Sequence, residues 1–202
     1  MVGQSSLDQL SMRALAERLH ATPMALYKHV EGRDELNRLV VERSFAALEL
    51  PPMSLQTLSW LEHLARAVRA IGISYPGVMD YLLEHGPVVH TTLLILDRTV
   101  SKLHDAGLTW KEAGEVHNTF FSWLAGSVRR EQRVQSGQPA PFSGFLEAAR
   151  ALPEEDFPGL ARSLRYMEKL DFESEFTVSL HLLLDAVRLR ISRRVARTRR
   201  RS

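Results

Sequence analysis

Apolar residues recur along most of this chain at spacings of three and four, the signature of helices with one buried face. Leu58, Leu61, Leu64, Ala65, Val68 and Ile71 share a side of the segment from Leu55 to Ser74. Val89, Leu93, Leu96, Val100 and Leu103 form a second stripe. Phe172, Phe176, Leu180, Leu183, Leu184, Val187, Ile191 and Val195 form a third, along a helix expected from Phe172 to about Ala196. There is no sustained alternation of period two, and no Asn-Gly or Asp-Gly pair to turn a hairpin. The pattern predicts an all-α protein.

Capping and breaking residues divide the stripes. Ser11 is placed to cap a helix through Leu19, with Met12, Leu15, Ala16 and Leu19 on one face. The chain turns at His20-Ala21. Thr22 then caps a helix with Pro23 at its first position, where a missing N–H costs nothing, and about two turns are expected, through Val30. Glu31-Gly32 breaks it. A third helix is predicted from Arg33 to about Leu48, with Asp34 and Glu35 at its positive end. Pro51-Pro52 closes a first domain at residues 1–50, ahead of a larger one at 51–196. In the second domain Tyr75-Pro76-Gly77 and Gly86-Pro87 bracket a short helix, and Gly107 ends the next. Thr109-Trp110-Lys111-Glu112 reads as a capping box opening a helix to about Gln132. Residues 134–144, rich in Gly, Pro, Ser and Gln, predict a loop. Helices follow from about Gly144 to Leu152 and from Phe157 to Lys169.

Two short helices joined tightly, with small Ala16 where they would cross, make a helix-turn-helix, whose second helix enters the major groove of DNA. The run Leu10-Ser11-Met12-Arg13-x-Leu15-Ala16, then Leu26-Tyr27-x-His29-Val30, then Arg33-Asp34-Glu35-Leu36, resembles the DNA-binding domain of the TetR family. It is most similar to the branch that contains the tetracycline repressor. The likeness covers residues 7–45. Beyond it the chain is similar by helix order, by Tyr75-Pro76-Gly77 and by Leu182-Leu183-Leu184-Asp185. The family's domain has a further full helix ahead of the motif, where about nine residues precede it here, and it usually has Gly where His20 stands.

The resemblance implies a ligand-responsive transcriptional repressor. Pro23, Met24, Ala25 and Lys28 are then expected to face base edges, and Tyr27, His29 and Arg33 to contact phosphates. Ser11 or Arg13 is expected to touch the DNA backbone, and Thr22 to cap the reading helix. It also implies a homodimer joined through the helix from Thr109 and the last helix, because symmetric reading sets two recognition helices about 34 Å apart. A small-molecule effector is expected among the helices beginning near Leu55, Val88 and Thr109, against Trp60, Leu64, His90, Leu94, His117, Phe120 and Phe121. Aromatic and apolar walls with a few polar groups suit such a ligand. His63, His85, His90 and His117 show no metal-ligand spacing, so neither metal nor cofactor is expected.

Charge leaves another reading open. Eight arginines and no acid lie between Arg188 and Ser202, which leaves 18 of the 26 basic residues against 24 acids in the remaining chain, a net of −6. Residues 197–202 are read as a basic tail able to add non-specific phosphate contacts. Residues 1–45 hold six basic and six acidic side chains. That neutral balance is a poor footprint for nucleic acid, and it keeps alive a helical, dimeric ligand-binding adaptor without specific DNA binding. Catalysis finds little support. Glu17-x-x-His20 has the spacing of a di-iron pair but no second pair, and no Gly-x-Ser-x-Gly, phosphate loop or His-Glu-x-x-His occurs. The absence of cysteine, of a leader and of a long apolar run points to the cytoplasm, away from membranes.

Overall fold

The structure, a computed structural model, describes Leu7 and residues 10–136, 143–167 and 171–199. Among these residues every regular element is a helix: α1 (Met12–Arg18), α2 (Pro23–Leu26), α3 (Arg33–Phe45), α4 (Thr57–Ser74), α5 (Val78–His85), α6 (His90–Asp105), α7 (Trp110–Gln135), α8 (Ser143–Arg150), α9 (Pro158–Met167) and α10 (Phe172–Arg199). None is long and apolar enough to cross a membrane.

Helix α7 is the axis of the larger part. It packs against α4, α5, α6 and α10, while α3 lies against α5 and α6. The core between them holds Trp60, Leu61, Leu64, Met79, Ile95, Leu103, Phe120, Leu124 and Leu180, all nearly or wholly buried. Gly72 lets α4 approach α7 and α5 closely, since a Cβ there would sit 2.6 Å from Val128 Cγ1 and 2.9 Å from Met79 Cγ. The connection from α3 to α4 is pinned at two carbonyls. The Trp60 indole N–H donates to Pro51 O at 2.8 Å, and Lys102 Nζ donates to Met53 O at 2.5 Å.

Side-chain caps set several helix starts. Ser11 Oγ accepts from Ala14 N at 3.1 Å, and Thr22 Oγ1 from Ala25 N at 3.2 Å. At α7 the capping box closes both ways: Glu112 N donates to Thr109 Oγ1 at 3.2 Å, and Thr109 N to Glu112 Oε2 at 2.9 Å.

Some helix ends differ from the sequence expectation. Helix α2 stops at Leu26 instead of Val30, because the His29 and Val30 N–H groups both turn onto the Leu26 carbonyl, at 2.9 and 3.0 Å. The Glu35 carboxylate then captures the Glu31 N–H and carries the chain into α3. Helix α3 ends at Phe45, three residues before Leu48, where Ala46 N bonds Arg43 O and Leu48 N bonds Phe45 O in tighter turns. Helices α7 and α10 each run three residues past expectation, to Gln135 and Arg199. Most of the expected 134–144 loop (137–142) lies outside the described residues.

Candidate functional site

The first surface of interest is built by α1 and α2. Met12 and Ala16 are buried, and the half-buried Leu15, Leu26 and Val30 pack against the core. His20, in the turn, has φ +53°, the left-handed region that a tight reversal demands and glycine adopts most easily. The reversal turns the face from Thr22 to His29 outward. Met24 is 73% exposed and Tyr27 53%. Thr22, Pro23, Lys28, His29, Arg33, Ser11 and Arg13 are also exposed, and Ala25 is half-buried. Arg13 Nε pairs with Glu17 at 3.1 Å on the outer side of α1. The ten residues expected at DNA thus lie in the helix-turn-helix segment and the first turn of α3, and nine of them are exposed.

The second feature is a cavity of about 210 Å³ between α3, α5, α6 and α7. Phe45 lines it from α3. Met79, Leu82 and Leu83 come from α5, Gly86 and Pro87 from the following turn, and Thr92 and Ile95 from α6. Helix α7 contributes two adjacent rows, His117-Phe121-Ala125 and Asn118-Ser122, each at helical spacing of four. Among the described residues, no Lys, Arg, Asp or Glu lines it. The walls are therefore apolar and aromatic, with a polar strip along α7 and one hydroxyl on α6.

His117 is the chemically distinctive group in this lining. Its side chain is buried, its ring lies 4.5 Å from that of Phe121, and its Nδ1 has no hydrogen-bond partner. Burial pushes its pKa down to about 4, so the ring is neutral near pH 7.

Of the seven residues expected at an effector, His117 and Phe121 line this cavity. Phe120 turns away into the core and meets Phe121 edge-on at 5.9 Å. Trp60 and Leu64 on α4 are fully buried in the core, and α4 lends no residue to the lining. His90 is exposed at the start of α6, and Leu94 is half-buried outside the lining. Sequence reasoning passed over Phe45, Met79, Leu82, Leu83, Thr92, Ile95, Asn118 and Ser122. The last two were findable, since they fall one position after His117 and Phe121 on the same side of a long helix.

A family model described as tetracyclin repressor-like, C-terminal domain, matches residues 55–191, well over half the chain. The HTH-type transcriptional repressor Rv1353c of Mycobacterium tuberculosis is 23% identical over 194 residues, spanning 90% of this chain and 74% of that protein. Among solved structures, a possible TetR family transcriptional regulator from Streptomyces coelicolor is 25% identical with a TM-score of 0.76, covering 93% of each chain. The TetR family protein ActR of the same organism, solved in complex with actinorhodin, is 22% identical with a TM-score of 0.79, covering 94% of this chain and 92% of its own. The helix-turn-helix, the helical order and these matches agree: the chain belongs to the tetracycline-repressor-like family of transcriptional regulators.

Proposed function

We propose that this protein is a homodimeric repressor that reads operator DNA with the α1–α2 segment and lets go when a small molecule fills the cavity between α3, α5, α6 and α7. The observation that carries the reading is the position of Phe45. It lines the cavity and is the last residue of α3, the helix that directly follows the helix-turn-helix. A ligand there touches the DNA-reading unit and the effector helices together. Glu42 of α3 also accepts a hydrogen bond from Thr91 of α6 at 3.1 Å, so the two units share a polar contact beside the apolar one. ActR, similar in fold, is solved with actinorhodin bound, which fits a family member that carries an organic ligand.

Dimerisation is supported by α10, which is apolar on two sides. Phe176, Leu180, Leu184 and Val187 are buried within the protomer, while Val178, Leu182 and Leu189 are exposed on a stripe of their own. A second copy packing there would remove that stripe from water.

The direct test is fluorescence anisotropy with labelled duplex from the region flanking the protein's own gene, against excess scrambled duplex. A chain ending at Ala196 serves alongside, to remove the last arginines. Saturable binding that survives the competitor in both forms is the expected result. Binding that vanishes with the competitor, or with the arginines, would leave the ligand-binding adaptor as the better reading. A cavity ligand should then weaken DNA affinity by roughly 5–150-fold, the range of a typical allosteric coupling.

A further inference from the structure

The side chains on the outer face of the helix-turn-helix bear on which bases it reads. We propose that Met24 is a specificity-determining residue that recognises the 5-methyl group of a thymine in the major groove, so that each half of the operator presents a thymine to the segment around α2. This deepens the DNA-reading proposal above and rests on it.

Hydrogen-bonding readers are scarce on this face. Between Ala21 and Val30 there is no Asn, Gln, Arg, Asp or Glu. Those side chains make paired hydrogen bonds to adenine or guanine, or accept from cytosine. The Thr22 side-chain oxygen already accepts from Ala25 N at 3.2 Å. Pro23 has no N–H to offer. Lys28 is the one side chain in this stretch suited to paired contact with a guanine edge.

What the face offers instead is apolar. Met24 is 73% exposed, more than any other large hydrophobic side chain among the described residues, and Pro23 beside it is exposed as well. Leu26 and Val30 of the same segment pack against the core, and Met24 does not. Its apolar surface is therefore buried only when a partner arrives. In the major groove the apolar group that a base pair presents is the thymine methyl. An unbranched, polarizable thioether adapts its shape to such a methyl. Charge permits the approach, since from Arg18 to Val30 there are two cations, two histidines and no acid.

The test begins with a pool of duplexes whose random centre is about 20 base pairs long, two helical turns, selected on the purified full chain. Thymines in the enriched duplex are then replaced one at a time by deoxyuracil, which keeps the base pairing and loses only the methyl. Wild type is expected to bind about fourfold more weakly when the contacted thymine is changed, the scale of one buried carbon, and about 15-fold when its symmetry mate is changed too. Met24→Ala should bind the thymine and uracil duplexes alike. If that variant lets go of DNA altogether, Met24→Gln, of similar length but polar, is compared instead, with the same expectation. Should neither variant hold DNA, the wild-type uracil scan decides. An enriched duplex that tolerates uracil at every thymine would overturn the proposal and leave the DNA-reading one standing. Uracil sensitivity that persists undiminished in the variants would do the same. A pool that shows no enrichment would overturn both and favour the ligand-binding adaptor.

Discussion

Cutting the clasp between α4, α7 and α10 should cost more than any surface ion pair in the molecule. The Arg69 guanidinium grips Glu131 as a fork, Nε to Oε2 at 2.9 Å and Nη2 to Oε1 at 3.0 Å, with the two side chains 13% and 11% exposed. Its third nitrogen pairs with Glu173 of α10, and its carbon lies 4.5 Å above the Phe176 ring. Burial works against the charged guanidinium, but the two carboxylates outweigh it and hold the proton more tightly than usual. Replacing Arg69 with Met strands Glu131, which keeps a long hydrogen bond from Gln135 Nε2 at 3.5 Å. Breaking one side of a buried pair costs about 3–5 kcal/mol, and residual water access here brings the expected loss to about 2–4 kcal/mol. Glu131→Met should cost slightly less, because Arg69 keeps Glu173. The double variant, apolar on both sides, should sit within about 1 kcal/mol of wild type. Urea unfolding of all four proteins at one fixed concentration gives the cycle, since a dimer's midpoint moves with concentration. Two single variants each costing under about 1 kcal/mol, and adding without coupling, would show that the pair is effectively solvated and would refute this account.

Three further outcomes are expected. Gly72→Ala should lower stability by about 1–3 kcal/mol, read as a drop in melting temperature, because its Cβ would overlap Val128 and Met79; an unchanged melt would mean that α4 can slide away from α7. His20→Gly should stabilise by about 1 kcal/mol, since φ +53° strains histidine and not glycine; amide exchange in α1 and α2 should slow, and faster exchange would contradict it. His117 carries the pH dependence. Its pKa is near 4 folded against 6.5 unfolded, so the unfolded chain binds the extra proton between those values. Stability from this group is therefore whole above about pH 7 and falls as pH drops through 6.5 toward 4, by up to ~3 kcal/mol. Stabilities from urea unfolding of wild type against His117→Leu across pH 7 to 4 should diverge by that amount; parallel curves would mean that the ring titrates in solvent.

What was legible in the sequence was the chemistry that a few neighbouring residues decide alone. Ser11, Thr22 and Thr109 cap because each has a hydroxyl two or three positions before a backbone N–H that needs one. The reversal at His20 was readable from its place between two capped helices. The end of α2 was not, because it depends on the His29 and Val30 N–H groups sharing the Leu26 carbonyl. The cavity was legible only in part, for a geometric reason. Phe120 and Phe121 are adjacent, so they point about 100° apart around α7. One enters the core and the other the cavity, and only the packing of α5 and α6 decides which. Met79, Leu82 and Leu83 went unmarked for the same reason. An apolar stripe says that a face is covered, and not whether protein or ligand covers it. Trp60 and Leu64 show the converse, aromatic and aliphatic bulk on a face that α7 and the Pro51 carbonyl already fill.

The placement of the cavity also bears on how a weakly charged reader works as a switch. Residues 1–45 balance six cations with six acids, so long-range attraction adds little, and on the proposed reading affinity comes from close fit of the exposed α2 surface. In the proposed dimer, fit of that kind is sensitive to the spacing between two copies of α2, because both would enter successive grooves about 34 Å apart. A modest displacement of α3 would then remove much of the affinity without any change in charge. Phe45 at one end of α3 lines the proposed ligand cavity, and Arg33 at the other stands on the surface expected to meet phosphate. The thirteen residues from Arg33 to Phe45 form one unbroken helix. A rigid lever about 20 Å long, at about 1.5 Å per residue, therefore joins the proposed ligand to the proposed DNA contact, and both are in the same short segment of chain.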